Sequence, residues 1–188
     1  EITIGDWSSD VCSSDLIRLP VCEMNNECNY RTVCFTGHRR FTPEEEQNVQ
    51  ARLDAAVRDL IENRGTVTFR TGGALGFDTM AAYTVLGYRL LYPHVRLELY
   101  LPCPDQTRGW KPGDVESYNN IKEHADRVFV ASPYYFSGCM HVRNRMLVNG
   151  SDLCVAYCRK HEGGTAYTMD YARRQYVEVM NLYDTFKV

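Results

Sequence analysis

No run in this chain approaches the ~20 apolar residues that a membrane-spanning helix needs, so its 44% hydrophobic content points to a buried core rather than a membrane protein. Repeats, low-complexity tracts and linkers are missing too. That leaves one soluble globular domain, for which 188 residues supply a core large enough to fold alone. Charge of one sign is also scarce. The 21 basic residues are nearly matched by 24 acidic ones, for a formal net charge of -3. This balance argues against a dedicated nucleic-acid binder, while leaving room for a local basic patch. Cysteine is plentiful, at eight residues, but the cysteines are scattered, and Cys34 and Cys154 sit inside apolar runs. They read as buried thiols of a reducing cytoplasm and not as a disulfide frame. Cys22 and Cys28 have no downstream His or Cys pair at zinc spacing, so no metal site is expected. Nothing in the chain calls for a cofactor.

The N-terminus lacks the charged segment and sustained apolar stretch of a signal peptide. Residues 1–16, above all Asp6-Trp7-Ser8-Ser9-Asp10-Val11-Cys12-Ser13-Ser14-Asp15-Leu16, instead resemble a translated sequencing adapter. Residues 1–30 are therefore set aside as a leader, and residues 31–188 are taken as the domain.

From Arg31 onward strand-like and helix-like runs alternate. Strands are expected at 32–36, 66–70, 95–101, 127–131, 153–157 and 177–182. The first helix opens with Thr42 as N-cap, Pro43 at the first helical position and Glu45 in the capping-box place. Val49, Leu53, Val57, Leu60 and Ile61 then give it an apolar stripe at 3.6-residue spacing. Further helices are expected at 78–91, 116–125, 140–148 and 165–176. Such alternation predicts an α/β fold, a mostly parallel sheet with helices on both faces and right-handed crossovers.

Two glycine turns lie between strand and helix: Thr71-Gly72-Gly73-Ala74-Leu75-Gly76-Phe77-Asp78 and Gly163-Gly164-Thr165-Ala166-Tyr167-Thr168. Glycines there let backbone N–H groups approach a ligand, and the helix start aims its free donors and positive dipole end at the same point. A phosphate- or ribose-bearing ligand suits two such turns. The first turn lacks the Lys-Ser/Thr end of a Walker loop and the glycine order of a dinucleotide fingerprint. Asp78 reads as a helix cap or as an acceptor for a ribose hydroxyl, and the two roles are compatible. Thr165 reads as an N-cap or a phosphate seat, with Thr168 one turn along.

Other candidates lie where strands of an open parallel sheet end, which is where ligands bind. Gly37, His38 and Arg39 leave the first strand and can reach an anionic or ribosyl group. Gln106 follows the third strand and can bond a base or sugar, with Trp110 either stacking or packed in the core. Arg143 and Asn144 follow an aromatic loop and suit a phosphate and a base edge, with Tyr135 available to stack. Cys103 has no His partner by pattern, which argues against a catalytic thiol. Tyr134, Tyr135, Tyr167, Tyr171 and Tyr176 mark either a homo-oligomer interface or core packing.

Taken in order, Cys34-Phe35-Thr36-Gly37-His38-Arg39, Gly72-Gly73-Ala74-Leu75-Gly76-Phe77-Asp78, Pro102-Cys103-Pro104 with Gln106 and Trp110, Arg143-Asn144-Arg145 and Gly163-Gly164-Thr165-Ala166 resemble the YpsA-type branch of the SLOG superfamily. The resemblance runs over residues 32–182. It implies a Rossmann-like three-layer domain in a bacterial cytoplasm that senses or processes a nucleotide-derived ligand. Gly72, Gly73, Gly76, Gly163, Gly164 and Thr165 would surround that ligand, with Arg143 and Asn144 lining its site. Relatives include LOG phosphoribohydrolases, the DNA-processing protein DprA and ligand-sensing modules of anti-phage systems. YpsA-type proteins are linked to bacterial cell division and stress. LOG enzymes depend on a Glu shortly after a P-G-G-x-G-T turn, whereas this chain offers only Asp170 near Gly163-Gly164-Thr165. Three readings follow. The first is a nucleotide sensor without turnover. The second is a nucleotide N-glycosidase or phosphoribohydrolase using Asp170 or Asp78 with Arg143. The third is a DprA-like single-strand DNA binder, against which the acidic balance counts.

Overall fold

A computed structural model describes residues 29–183 of the chain; the adapter-like segment and the Cys22 and Cys28 thiols lie outside the described residues. Eleven elements alternate without exception: β1 (Thr32–Gly37), α1 (Pro43–Glu62), β2 (Thr68–Thr71), α2 (Phe77–Arg89), β3 (Arg96–Leu101), α3 (Pro112–His124), β4 (Arg127–Val130), α4 (Cys139–Val148), β5 (Leu153–Tyr157), α5 (Gly164–Arg174) and β6 (Glu178–Asn181). The strands form one sheet in the order β4-β3-β2-β1-β5-β6, every neighbouring pair parallel. The chain therefore lays strands outward from β1 in one direction, then returns to the other side of β1 for β5 and β6. This reversal puts a topological switch point between β1 and β5.

Side chains alternate along each strand and so serve two different cores. Val33, Phe35, Leu97, Leu99, Leu101, Leu153 and Val155 face α1, α2 and α3 in the larger one. Cys34, Cys154 and Tyr100 face the opposite side, with Leu147 and Val148 of α4 and Ala172 of α5. The second face is the more polar of the two. Arg70 of β2 meets Glu98 of β3 at 3.0 Å, lies over the Tyr100 ring, and donates to Asn149 O. A parallel sheet covered by α4 and α5 alone on this side is sealed toward β3 by these polar contacts.

The capping box of α1 is formed, Thr42 accepting from Glu45 N–H and Glu45 from Thr42 N–H. All five residues of the apolar stripe are buried. Helices α2 and α5 begin earlier than side-chain caps suggest. Gly76 and Gly163 occupy the N-cap positions, both with positive φ and neither with a side-chain cap bond. Asp78 and Thr165 thus lie inside their first turns and are not the caps of these helices.

Thr42→Ala removes the capping box and is expected to lower stability by about 1 kcal/mol. Leu53→Ala, at a fully buried position, is expected to lower it by about 2–5 kcal/mol. Urea denaturation checks both, the midpoint moving with an unchanged slope.

Candidate functional site

A cavity of about 270 Å³ opens at the switch point. Thr36 and Gly37 end β1 on one side of it; the first turn of α5, with Gly164 and Thr165, follows β5 on the other. Helix α4 supplies Met140, Arg143 and Asn144. These positions are i, i+3 and i+4, so one helix face presents all three. Ala74 and Asp78 complete the wall from the first glycine turn, with His38 and Arg39 leaving β1 beside them.

The floor is built on Arg143 and Asp78. Both are nearly inaccessible, at 5% exposure each. Arg143 Nη1 lies 3.3 Å from Asp78 Oδ2, and the same oxygen accepts from Ala74 N–H at 3.3 Å. Gly72 makes this arrangement possible: a Cβ there would fall 1.1 Å from Arg143 Nη1 and 2.8 Å from Asp78 Oδ2. Burial pushes the Asp78 carboxyl up from its ordinary value, with Arg143 pulling the other way. Burial likewise pushes the Arg143 guanidinium down, against the pull of Asp78. Burial is the larger influence on each partner, ahead of their pairing. Arg143 Nε is buried with no hydrogen-bond partner among the described residues.

At the α5 end, Gly163 carries no side-chain cap and helical bonding starts from Tyr167 N–H to Gly163 O, so the Gly164, Thr165 and Ala166 N–H groups make no backbone bond among the described residues; Gly164 and Thr165 line this cavity and Ala166 the neighbouring cleft. No acidic residue sits in that first turn, the nearest carboxylate at the positive end of the helix being Glu162, just before the N-cap. Arg39 is exposed at the cavity mouth. His38 Nε2 accepts from Arg159 N–H at 2.8 Å, which places the ring proton of the neutral form on Nδ1. Burial, then Arg159 and Lys160, hold the His38 pKa below its ordinary value against the pull of Glu45.

Of the residues singled out in the sequence, Gly37, His38, Arg39, Asp78, Arg143, Asn144, Gly164 and Thr165 line this cavity together. Gly72, Gly73, Gly76, Gly163 and Gln106 do not. Gly76 instead lets the turn pack against β1: its φ is +76°, and a Cβ would sit 2.6 Å from His38 O and the Arg39 carbonyl carbon. Gln106 is turned inward, its Nε2 donating to Gly73 O at 2.6 Å and Gly72 O at 3.2 Å. It braces the glycine turn from behind and does not reach a base or sugar. Trp110 packs edge-on against Tyr118 beside the larger core. Thr168 is buried and donates back to Gly164 O at 2.8 Å, so its hydroxyl is committed to the helix. Asp170 lies in a separate cleft of about 330 Å³ with Cys158, Arg159, Lys160 and Arg173 and pairs with Arg173 at 3.1 Å. Tyr167 and Tyr171 stack on one another, and Arg145 donates to the Tyr167 hydroxyl, whereas Tyr134, Tyr135 and Tyr176 are exposed. Sequence reasoning missed Thr36, Ala74 and Met140. Met140 was reachable by counting one helical turn back from Arg143.

The YpsA family, described as "YspA SLOG family", matches residues 33–186. The chain is 26% identical over 138 residues to the uncharacterized SPbeta prophage-derived protein YoqJ of Bacillus subtilis, covering 67% of this chain and 81% of YoqJ. It is 28% identical over 106 residues to a UPF0398 protein of Brevibacillus brevis, covering 55% of this chain and 56% of that protein. Two solved structures share the fold. DNA processing protein A of Helicobacter pylori, described for its single-stranded DNA binding mode, superposes with a TM-score of 0.55 at 19% identity, over 79% of this chain and 63% of that one. DprA of Streptococcus pneumoniae superposes with a TM-score of 0.59 at 16% identity, over 80% of this chain and 49% of that one. The chain thus spans roughly half to two thirds of the Brevibacillus and DprA chains it matches.

Arg143→Met leaves the Asp78 carboxyl buried without its cation and is expected to destabilise by about 3–5 kcal/mol. Adding Asp78→Asn should recover most of that loss, with a coupling of about 2–3 kcal/mol in a double-mutant cycle. The His38 ring reports on the loop: its pKa, read from the imidazole carbon protons by NMR, is expected below the ordinary 6.5. The unfolded chain then takes the proton first. The stability contributed by the Arg159-to-His38 bond is present above pH 6.5 and is lost as pH falls from there through the folded value.

Proposed function

The chain belongs to the YpsA SLOG family, and from that premise and the geometry of the cavity we propose that it binds a nucleotide-derived ligand as a cytoplasmic sensor. One observation carries this reading: an uncapped helix start and a buried, partly unpartnered arginine line the same cavity at the sheet's switch point. The anionic group of the ligand sits on the N–H groups of Gly164 and Thr165, where helix dipole and free donors coincide. Arg39 and Arg143 supply charge-assisted bonds to it. Gly37, His38 and Asn144 close around the remainder. The glycines Gly72, Gly73, Gly76 and Gly163 act from behind, by shaping the two turns. The five cysteines among the described residues are free and buried, which suits a reducing compartment, and no helix of the described residues is long and apolar enough to cross a membrane.

For an N-glycosidase, Asp78 is the carboxylate placed to act, since Asp170 lines the other cleft. A carboxyl pushed up by burial is suited to donate a proton to a leaving base. A third reading, single-strand nucleic-acid binding, draws on the exposed run Arg159, Lys160 and His161 beside the cavity. It predicts steep salt dependence.

Calorimetric titration with AMP, with a single-stranded oligonucleotide in a parallel arm and chromatography of the recovered ligand, separates these readings. AMP is expected to bind and to be recovered intact. Thr165→Glu should weaken it by roughly ten- to hundredfold, because the carboxylate stabilises the helix start while repelling the anion. Conversion of AMP to free base would establish turnover, and salt-sensitive oligonucleotide binding lost with Arg159→Ala and Lys160→Ala would establish the nucleic-acid reading. No effect of Thr165→Glu on a bound nucleotide would overturn the assignment of the phosphate seat.

A further inference from the structure

We propose that this cavity recognises the ribose phosphate of its ligand and leaves the base unread, an inference that rests on the phosphate seat at the start of α5. Three observations point to it. The volume, about 270 Å³, is close to the lower end of the span of about 300–1,000 Å³ for sites that enclose a whole ligand. It suits a phosphorylated sugar with anything further lying outside. No Phe, Tyr or Trp among the described residues lines the cavity, and the one ring in its wall, His38, is held edge-on to Tyr157 with Nε2 bonded to Arg159 N–H. The aromatic rings nearby are already committed: Phe77 stacks on Tyr157, and Tyr157 also meets Phe41 edge-on.

The third observation is the polarity of the wall. The α5 start, Arg39 and Arg143 offer donors and positive charge, which suit the phosphate. Asp78 offers the opposite. Its Oδ2 is held by Arg143 and Ala74 N–H, and its carboxyl is the acidic group among the described residues that line the same cavity. A desolvated carboxylate accepts hydroxyl donors and repels a second phosphate. A vicinal diol on the sugar ring meets that demand, and removing one hydroxyl forfeits a bond to a charged group. Arg143 thereby acts twice, as a cation at the phosphate end and as the clamp that orients the carboxylate for the hydroxyl end.

The test is a calorimetric series on the full, unaltered chain with ribose 5-phosphate, AMP, UMP, 2-deoxyribose 5-phosphate, adenosine and inorganic phosphate. Ribose 5-phosphate, AMP and UMP are expected to bind with similar affinity. The 2-deoxy sugar should be weaker by roughly ten- to hundredfold, the span of one hydrogen bond to a charged group. Adenosine and inorganic phosphate should be weaker still. AMP binding without ribose 5-phosphate binding, or a large preference between AMP and UMP, overturns the inference while leaving the phosphate seat intact. Equal binding of ribose and deoxyribose phosphates overturns the role of Asp78, and inorganic phosphate binding as tightly as the sugar phosphate reduces the site to an anion seat. Binding by none of the phosphorylated probes removes the seat itself. The series needs no variant. Asp78→Asn, if it folds, should level the ribose and deoxyribose affinities.

Discussion

The guanidinium of Arg143 lies where a side chain on Gly72 would otherwise be, and much of the site depends on that substitution of one residue's side chain into another's empty space. The ion pair with Asp78 ties α4, on one face of the sheet, to the first turn of α2, on the other. It does so across the end of the sheet, above the point where the strand order reverses. Burial pushes the Asp78 carboxyl up and the Arg143 guanidinium down, and their pairing pulls each the other way. Both charged groups also line the cavity. Gln106 supports the same arrangement from behind by holding the two glycine carbonyls.

The second fixed feature is the bare start of α5. A side-chain cap on this helix would have satisfied one of its first N–H groups. Gly163 at the N-cap leaves them open and Ala166 adds no competing acceptor. The neighbouring loop is held by His38 through Arg159 N–H, and Arg159 in turn pairs with Glu45 of α1. The wall of the cavity and the basic cleft next to it therefore share one loop.

Local signals were the most legible part of the sequence. The capping box at Thr42 and Glu45 and the apolar stripe of α1 are read from neighbours a few residues apart, and β5 falls where its β-branched and apolar run places it. The parallel sheet followed from alternation, and it is parallel throughout and not only for the most part. Eight candidate residues meet in one cavity because strand ends and helix starts converge there by topology. What stayed hidden was orientation. Nothing in the chain says whether Gln106 faces solvent or the glycine carbonyls, whether Thr168 bonds a ligand or its own helix, or that Arg70 and Glu98 make the second face polar. These depend on contacts across 34 or 28 residues in the first and last cases, and in the second on a choice between intrahelical and outward rotamers.

The proposed placement of a ligand's phosphate on the start of α5, with its sugar against Asp78, is open to direct measurement. The most direct measurement is a ¹⁵N-resolved NMR titration of the chain with ribose 5-phosphate. With the phosphate seated there, the amide signals of Gly164 and Thr165 move first and furthest, together with Ala74, whose N–H bonds the Asp78 carboxylate. Shifts confined to Arg159, Lys160 and His161, with Gly164, Thr165 and Ala74 unmoved at saturation, would contradict it.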